Sequence, residues 1–515
     1  MAFWFFLMAT LWSWPLAADI TLPSIIGDNM VFQRDTGLKF WGWADPGEKV
    51  TVSFALQTRS VKTGRDGKWV VRFDPFKAGG PYEIVVKGKN TVTLSNILIG
   101  DVWLCSGQSN MEVRVAHCLD ADNEVAGALH RNLRLFQITN DLSPEIRDDC
   151  EGRWEVCRPS TIPQFSAAGY YFGRKIMEET DIPIGLINAS WGGTTVEAWM
   201  SPGAKEISGE FRNLTEYWKP VLEKKPPEIL TFYRGMAQWE EDVHYVEYVG
   251  KPLLPIYGTL PESPVKLSIV PQMPMWVYNA MIAPVVPFPV KGIIWYQGES
   301  NAGRAYQYRS LFPVLIEDWR RLWGDADMPF IFVQLANFGK RDIEPQESAW
   351  AELREAQLMT LSMPNTAMAV AIDIGDADNV HPRNKQEVGR RLALGALKIA
   401  YGRDVVHSGP LYESMTVRDG RTYLRFTNTG SGLAVRVGRS LRGFAVAGED
   451  RKFVWADALI RDDEVVVWSD AVSQPAAVRY GWGDNPDCTL CNREGLPASP
   501  FRTDDWPGIT TDSSR

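Results

Sequence analysis

Residues 101–111 read Asp101-Val-Trp-Leu-Cys-Ser-Gly-Gln-Ser-Asn-Met111. An apolar stretch runs directly into a small polar Gly-Gln-Ser-Asn turn. Read with Ile97-Leu-Ile-Gly100 before it, the stretch predicts a buried strand whose end lifts the Ser109 hydroxyl to the rim of a sheet. Serine is a weak nucleophile unless a neighbouring base takes its proton. A candidate base lies far downstream, in Asp378-Asn-Val-His381-Pro382. Two further polar islands fall between them, Trp191-Gly-Gly-Thr-Thr195 and Trp295-Tyr-Gln-Gly-Glu-Ser-Asn301.

Outward from Ser109 the pattern alternates. Helical periodicity is expected over Ala167 to Thr180, Tyr306 to Trp323, Trp350 to Leu361 and Asn384 to Tyr401. Strands are expected over Pro183 to Ala189, Pro329 to Leu335 and Ala367 to Ile372. Strands alternating with helices predict a three-layer α/β/α domain on a parallel sheet, spanning 99–404. Residues 205–275 interrupt the rhythm with Pro, Tyr, Trp and charge and read as an insertion, a candidate wall of the site. Residues 19–98 carry short β-branched or alternating runs cut by Asp-Pro-Gly at 45–47 and Gly-Gly-Pro at 79–81, the pattern of a β-sandwich. Residues 405–515 are β-rich again. Residues 1–18 are apolar and end in small residues, like a secretory signal peptide. No other apolar run is long enough to cross a bilayer.

The chain has 515 residues, 45% of them hydrophobic and 23% charged, so a soluble protein of more than one core is expected. A net charge of −9 excludes the basic footprint of a nucleic-acid binder. The 21 tryptophans suit sugar stacking, but most are expected to be core. The six cysteines permit disulfides in a secreted chain, and Cys150 with Cys157 could close a small loop. Cys488-Thr-Leu-Cys491 is half of a metal or redox motif without a second half, so no metal is expected. Asn188 and Asn213 head glycosylation sequons; the first falls at a buried strand end.

In a parallel sheet, ligands sit beyond the carboxyl ends of the strands, where all four islands fall. Acyl transfer needs each of them. Ser109 would attack an ester and His381, one of five histidines, would accept its proton. Asp378 could orient His381, with Asp373 and Asp376 as competitors. The amides of Ser109 and Gly193 and the side-chain amide of Gln297 are candidate oxyanion donors. Asn110 belongs to the same substrate-facing set. Glu299 reads as a buried carboxylate that orients Gln297 or Ser109.

Together, Gly-Gln-Ser-Asn-Met (107–111), Trp-Gly-Gly-Thr (191–194), Trp-Tyr-Gln-Gly-Glu-Ser-Asn (295–301) and His-Pro-Arg-Asn-Lys (381–385) resemble the sialate O-acetylesterase family of SGNH hydrolases. Asp28-Asn-Met-Val-Phe-Gln-Arg34 and Gly495-Leu-Pro-Ala-Ser-Pro-Phe501 resemble its opening and closing segments. The resemblance implies release of acetate from O-acetylated sialic acids, typically at the 9-hydroxyl, without a cofactor. It puts the nucleophile on Ser109 and the base on His381. Some relatives of this group work with a Ser-His dyad, so the place of Asp378 stays open. The implied setting is the secretory pathway, outside the cell or in a lysosome, with no membrane anchor once the signal is removed. A sialic acid is a carboxylate, and Arg114, Arg304, Arg383 and Lys385 are the cations near the motifs. Two alternatives remain: an acetylesterase on polysaccharide such as xylan, and a non-catalytic sugar-binding protein.

Overall fold

The computed structural model describes residues 19–223, 226–236 and 271–514. The 1–18 leader and most of the second half of the 205–275 insertion lie outside them. The central sheet runs in the order Thr366–Val370, Phe330–Gln334, Gly292–Tyr296, Thr91–Gly107, Ile184–Ser190, His130–Ile138, Gly152–Cys157. The first six strands are parallel; the last pairs antiparallel with His130–Ile138. The expected parallel sheet is therefore a mixed one with an antiparallel edge. Three of its strands, Ile184–Ser190, Gly292–Tyr296 and Phe330–Gln334, are buried along their whole length, so their apolar runs satisfy two covered faces.

The four expected helices form over Ala167–Thr180, Ala305–Trp323, Ala349–Met359 and Lys385–Ile399. Their ends follow local chemistry. Ser166, Ser348 and Asn384 cap three N-termini, each side-chain oxygen accepting from an N–H three residues on. Gly324, at φ +69°, closes the helix that ends at Trp323. Trp295 anchors the centre, with ring centroids 5.7 Å from Trp319 and 6.1 Å from Trp199. Truncating such a buried indole costs about 3–5 kcal/mol. Among the described residues most tryptophans are core; Trp455 stands out as exposed.

The boundary expected between residues 98 and 99 falls inside a single strand. Thr91–Gly107 runs unbroken for 17 residues. Its first half pairs antiparallel with Gly79–Lys87, and its second half is the centre of the α/β sheet. The N-terminal β region thus shares its backbone ladder with the central sheet. Its own core is a cluster of Phe32, Phe40, Phe54 and Phe73, with Phe40 and Phe73 5.6 Å apart. The C-terminal β-rich region carries separate sheets, including Leu411–Arg418, Arg421–Thr427, Glu464–Trp468 and Asp457–Arg461 in that order.

The Cys150–Cys157 bridge does not form, and all six cysteines are free and buried. The reason is geometric. Cys157 ends the extended strand Gly152–Cys157, and extended chain advances about 3.3 Å per residue, which holds the two sulfurs far apart. Asn188 lies within the sheet and donates to Gln137 Oε1 at 2.8 Å, whereas Asn213 is exposed on the helix Gly209–Leu222.

Candidate active site

The central strand delivers the nucleophile. Ser190 and Tyr296, the last residues of the two flanking strands, both lie opposite Gly107. Gly107 has φ +139°, and a Cβ there would meet the Tyr296 carbonyl oxygen at 2.1 Å, so only glycine lets the turn close. The Gln108 N–H then donates to that carbonyl at 3.0 Å. The Gln108 side-chain oxygen accepts from the Gly298 and Ser300 amides at 3.1 and 3.3 Å, tying the turn to the third polar island. Ser109 opens a one-turn helix, Ser109–Glu112, at the rim.

His381 arrives from an outer strand. The strand Thr366–Val370 stands three places from the nucleophile strand, and the segment after it crosses the intervening strand ends. Two side-chain turns fold this segment. Asp376 Oδ1 accepts from the Asp378 N–H at 3.0 Å, and Asn379 Oδ1 from the His381 N–H at 2.8 Å. Asn110 Nδ2 donates to the Val380 carbonyl at 3.0 Å, fixing the residue before the histidine. The outcome is His381 Nε2 at 2.7 Å from Ser109 Oγ, across 272 residues of sequence. With Nε2 unprotonated the hydroxyl donates to it, the geometry a base needs to activate serine.

Asp378 takes a different place. Its carboxylate is exposed, and no hydrogen bond or ion pair joins it to His381 among the described residues. Of its competitors, Asp373 forms a two-pronged pair with Arg391 at 2.6 and 2.9 Å, and Asp376 serves the turn.

Gly193 has φ +70°, and among the described residues neither its N–H nor that of Ser109 has an acceptor. Sequence reasoning missed the residue that holds this loop. Glu112 Oε2 accepts from the Gly192 N–H at 2.7 Å, and Oε1 from Asn140 Nδ2 at 3.0 Å. A Cβ on Gly192 would lie 3.3 Å from Ser109 Cβ, which shows how closely the loop approaches the nucleophile. The available signal was an acid three residues after the serine, one turn along the same short helix.

Two expected substrate-facing residues, Gln297 and Asn110, turn inward instead. Gln297 is fully buried: its Nε2 donates to Thr194 O at 3.2 Å and Asn301 Oδ1 at 2.7 Å, and its Oε1 accepts from the Tyr308 hydroxyl at 3.0 Å. Both its N–H donors are spent, so it has none to offer an oxyanion. Asn110 is equally committed. Besides Val380 it donates to Glu299 Oε1 at 2.6 Å, while its Oδ1 accepts from Lys385 Nζ at 2.6 Å. Burial raises the Glu299 carboxyl above its ordinary range and pushes the Lys385 ammonium down to about 7, although each charge favours the other. Lys385 and Arg304 are therefore not substrate cations. Arg304 pairs with buried Glu197 at 2.6 Å. Arg114, Arg383 and His117 line a cleft of about 330 Å³ together with Ser109, Glu112 and His381. Among the described residues no group of acidic, Cys and His side chains could hold a metal ion.

Comparison with known proteins decides the family. The family model described as carbohydrate esterase, sialic acid-specific acetylesterase matches residues 99–250 and 273–398, more than half the chain. The protein belongs to this family. All four polar islands fall in the matched residues. Within the family's wider circle, the chain is 31% identical to the sialate O-acetylesterase of Mus musculus over 93% of both chains. It is 29% identical to that of Homo sapiens over 94% of this chain and 93% of the human one. Among solved structures it is similar to a carbohydrate acetylesterase from Xanthomonas citri: 38% identity, TM-score 0.80, covering 95% of this chain and all of that one. Membership makes this chain an esterase of the carbohydrate type.

Proposed function

We propose that this esterase removes acetyl groups from O-acetylated sialic acids, the 9-hydroxyl ester foremost, through an acyl-enzyme on Ser109. The 2.7 Å contact between Ser109 Oγ and His381 Nε2 carries the reading. His381 takes the hydroxyl proton as Ser109 Oγ bonds to the acetyl carbon. The negative oxygen of the tetrahedral intermediate is met by the Ser109 and Gly193 N–H groups. The intermediate collapses, the sugar oxygen leaves, and His381 returns the proton to it. Water then adds to the acetyl-serine with His381 again as base; acetate departs and the Ser109 hydroxyl is restored. His381 is held by its loop, through Asn379 and the Asn110–Val380 contact, rather than by Asp378.

The scaffold we infer is the three-layer SGNH arrangement. The contacts of Ala167–Thr180 with Lys385–Ile399, and of Ala305–Trp323 with Ala349–Met359, support a helical layer on each face. A secretory location accords with the leader-like 1–18. Among the described residues, no helix is long and apolar enough to cross a membrane.

A second reading is deacetylation of a neutral polysaccharide such as xylan, since the similar Xanthomonas citri structure is of a carbohydrate acetylesterase. Acetate release from O-acetylated sialic acid and from acetylated xylan, measured in parallel with Ser109→Ala as control, separates the two. Ser109-dependent preference for the sialic acid is the expected result. Preference for xylan would keep the site and overturn the substrate.

A further inference from the structure

We propose that Arg114 and Arg383 form an anion subsite that binds the carboxylate of an acidic sugar while its acetyl ester lies on Ser109. The inference rests on the esterase reading above and adds the group that selects the substrate.

Four cations stand near the polar islands in sequence, and the fold sorts them. Lys385 is sealed behind the nucleophile and Arg304 is spent on Glu197. Arg114 and Arg383 instead line the cleft that holds Ser109 and His381. Neither makes an ion pair among the described residues. Arg114 Nη1 donates to Gln164 Oε1 at 2.7 Å. Arg383 donates through Nε to His117 O at 3.2 Å and through Nη2 to Cys118 O at 3.0 Å. All three acceptors are neutral. They orient the guanidinium groups without cancelling their charge.

That distinction matters in a chain of net charge −9. Many other arginines here are neutralised by carboxylates, as Arg479 and Arg502 are by Asp504. A guanidinium offers five N–H donors, of which Arg114 uses one and Arg383 two. The remainder suffice for a two-pronged grip on a carboxylate, and pre-orientation reduces the ordering cost of binding. The cleft also contains one acid, Glu112, turned towards Gly192 and Asn140. Arg383 follows His381 by two residues and lines the same cleft as Ser109.

The test uses the full-length protein, with Arg114→Gln, Arg383→Gln, the double variant and Arg383→Lys. Hydrolysis of O-acetylated N-acetylneuraminic acid is compared with that of p-nitrophenyl acetate, and binding of N-acetylneuraminate is measured by calorimetry. The expected result is at least a tenfold fall, in the double variant, of the ratio of kcat/KM for the acidic sugar to that for the neutral ester. The fall should appear mainly in KM, with partial recovery in Arg383→Lys, and N-acetylneuraminate should bind the double variant at least tenfold more weakly. Raised salt should raise KM for the acidic sugar in the wild type. An unchanged ratio, or wild-type protein that does not bind N-acetylneuraminate, overturns the subsite. Loss of Ser109-dependent hydrolysis of p-nitrophenyl acetate would instead overturn the esterase mechanism, so the two failures are distinguishable.

Discussion

The Ser109 turn has two sides, and they are built differently. The outer side is a cleft in which the half-buried Ser109 and His381 meet through one 2.7 Å contact. The inner side is sealed. There Asn110 bridges Glu299, Lys385 and the carbonyl of Val380, and Gln297 is locked among Thr194, Asn301 and Tyr308. The outer side is spare because a reacting atom must enter it. The inner side is densely bonded because buried polar groups favour partners, although Glu299 Oε2 and Thr195 Oγ1 have none among the described residues. Motif residues that look alike in sequence thus divide between chemistry and the frame that aims it.

The sharpest way to break this division is at the outer side. Ser109→Ala and His381→Ala should each lower kcat by at least about 10⁴-fold, as removal of a serine–histidine pair does, while leaving the melting temperature near wild type. A matching loss of stability would mean that the outer pair is also frame.

Lys385→Met probes the inner side. Removing one partner from a buried charged network costs about 3–5 kcal/mol. The melting temperature should therefore fall together with kcat, because Asn110 and Val380 lose their anchor. A fall in kcat alone would move Lys385 to the catalytic side.

The same lysine gives a pH test. Its ammonium is pushed down to about 7 by burial, from an ordinary value of 10.5. Between those values the unfolded chain holds a proton that the folded one has released, so stability rises with pH across that window. The penalty is full below pH 7 and gone above 10.5. Urea denaturation at pH 7 and 9 should show a larger gain for wild type than for Lys385→Met. Equal gains would place the titrating group elsewhere.

Asp378→Asn should have the smallest effect, a loss in kcat/KM of less than about tenfold, well short of the roughly 10⁴-fold loss when a triad aspartate holds the histidine. A loss equal to that of His381→Ala would show that the loop closes onto the imidazole during turnover.

Much of this was readable in the chain. Hydrophobic periodicity located four helices to within about two residues of the observed ends, because caps such as Ser348 and Asn384 are local signals, but it missed the helix Gly209–Leu222 in the insertion. The polar islands were legible because glycine, serine and asparagine after a strand leave few other uses. Residue type does not encode which way a side chain faces, however. Gln297 follows its strand as an oxyanion donor would, yet its buried neighbours absorb both N–H groups. Long-range partners were equally hidden: nothing near Glu112 in sequence announces Gly192, 80 residues away. The continuous strand 91–107 erased a boundary that composition alone had suggested, since a strand can change its pairing partners without a break.

The most direct test of the central claim is covalent labelling with a fluorophosphonate, read by peptide mass spectrometry. One adduct is expected, on Ser109 in the wild type, and little or none in His381→Ala at the same exposure. An adduct on another serine, or equal labelling of Ser109 without His381, would contradict it.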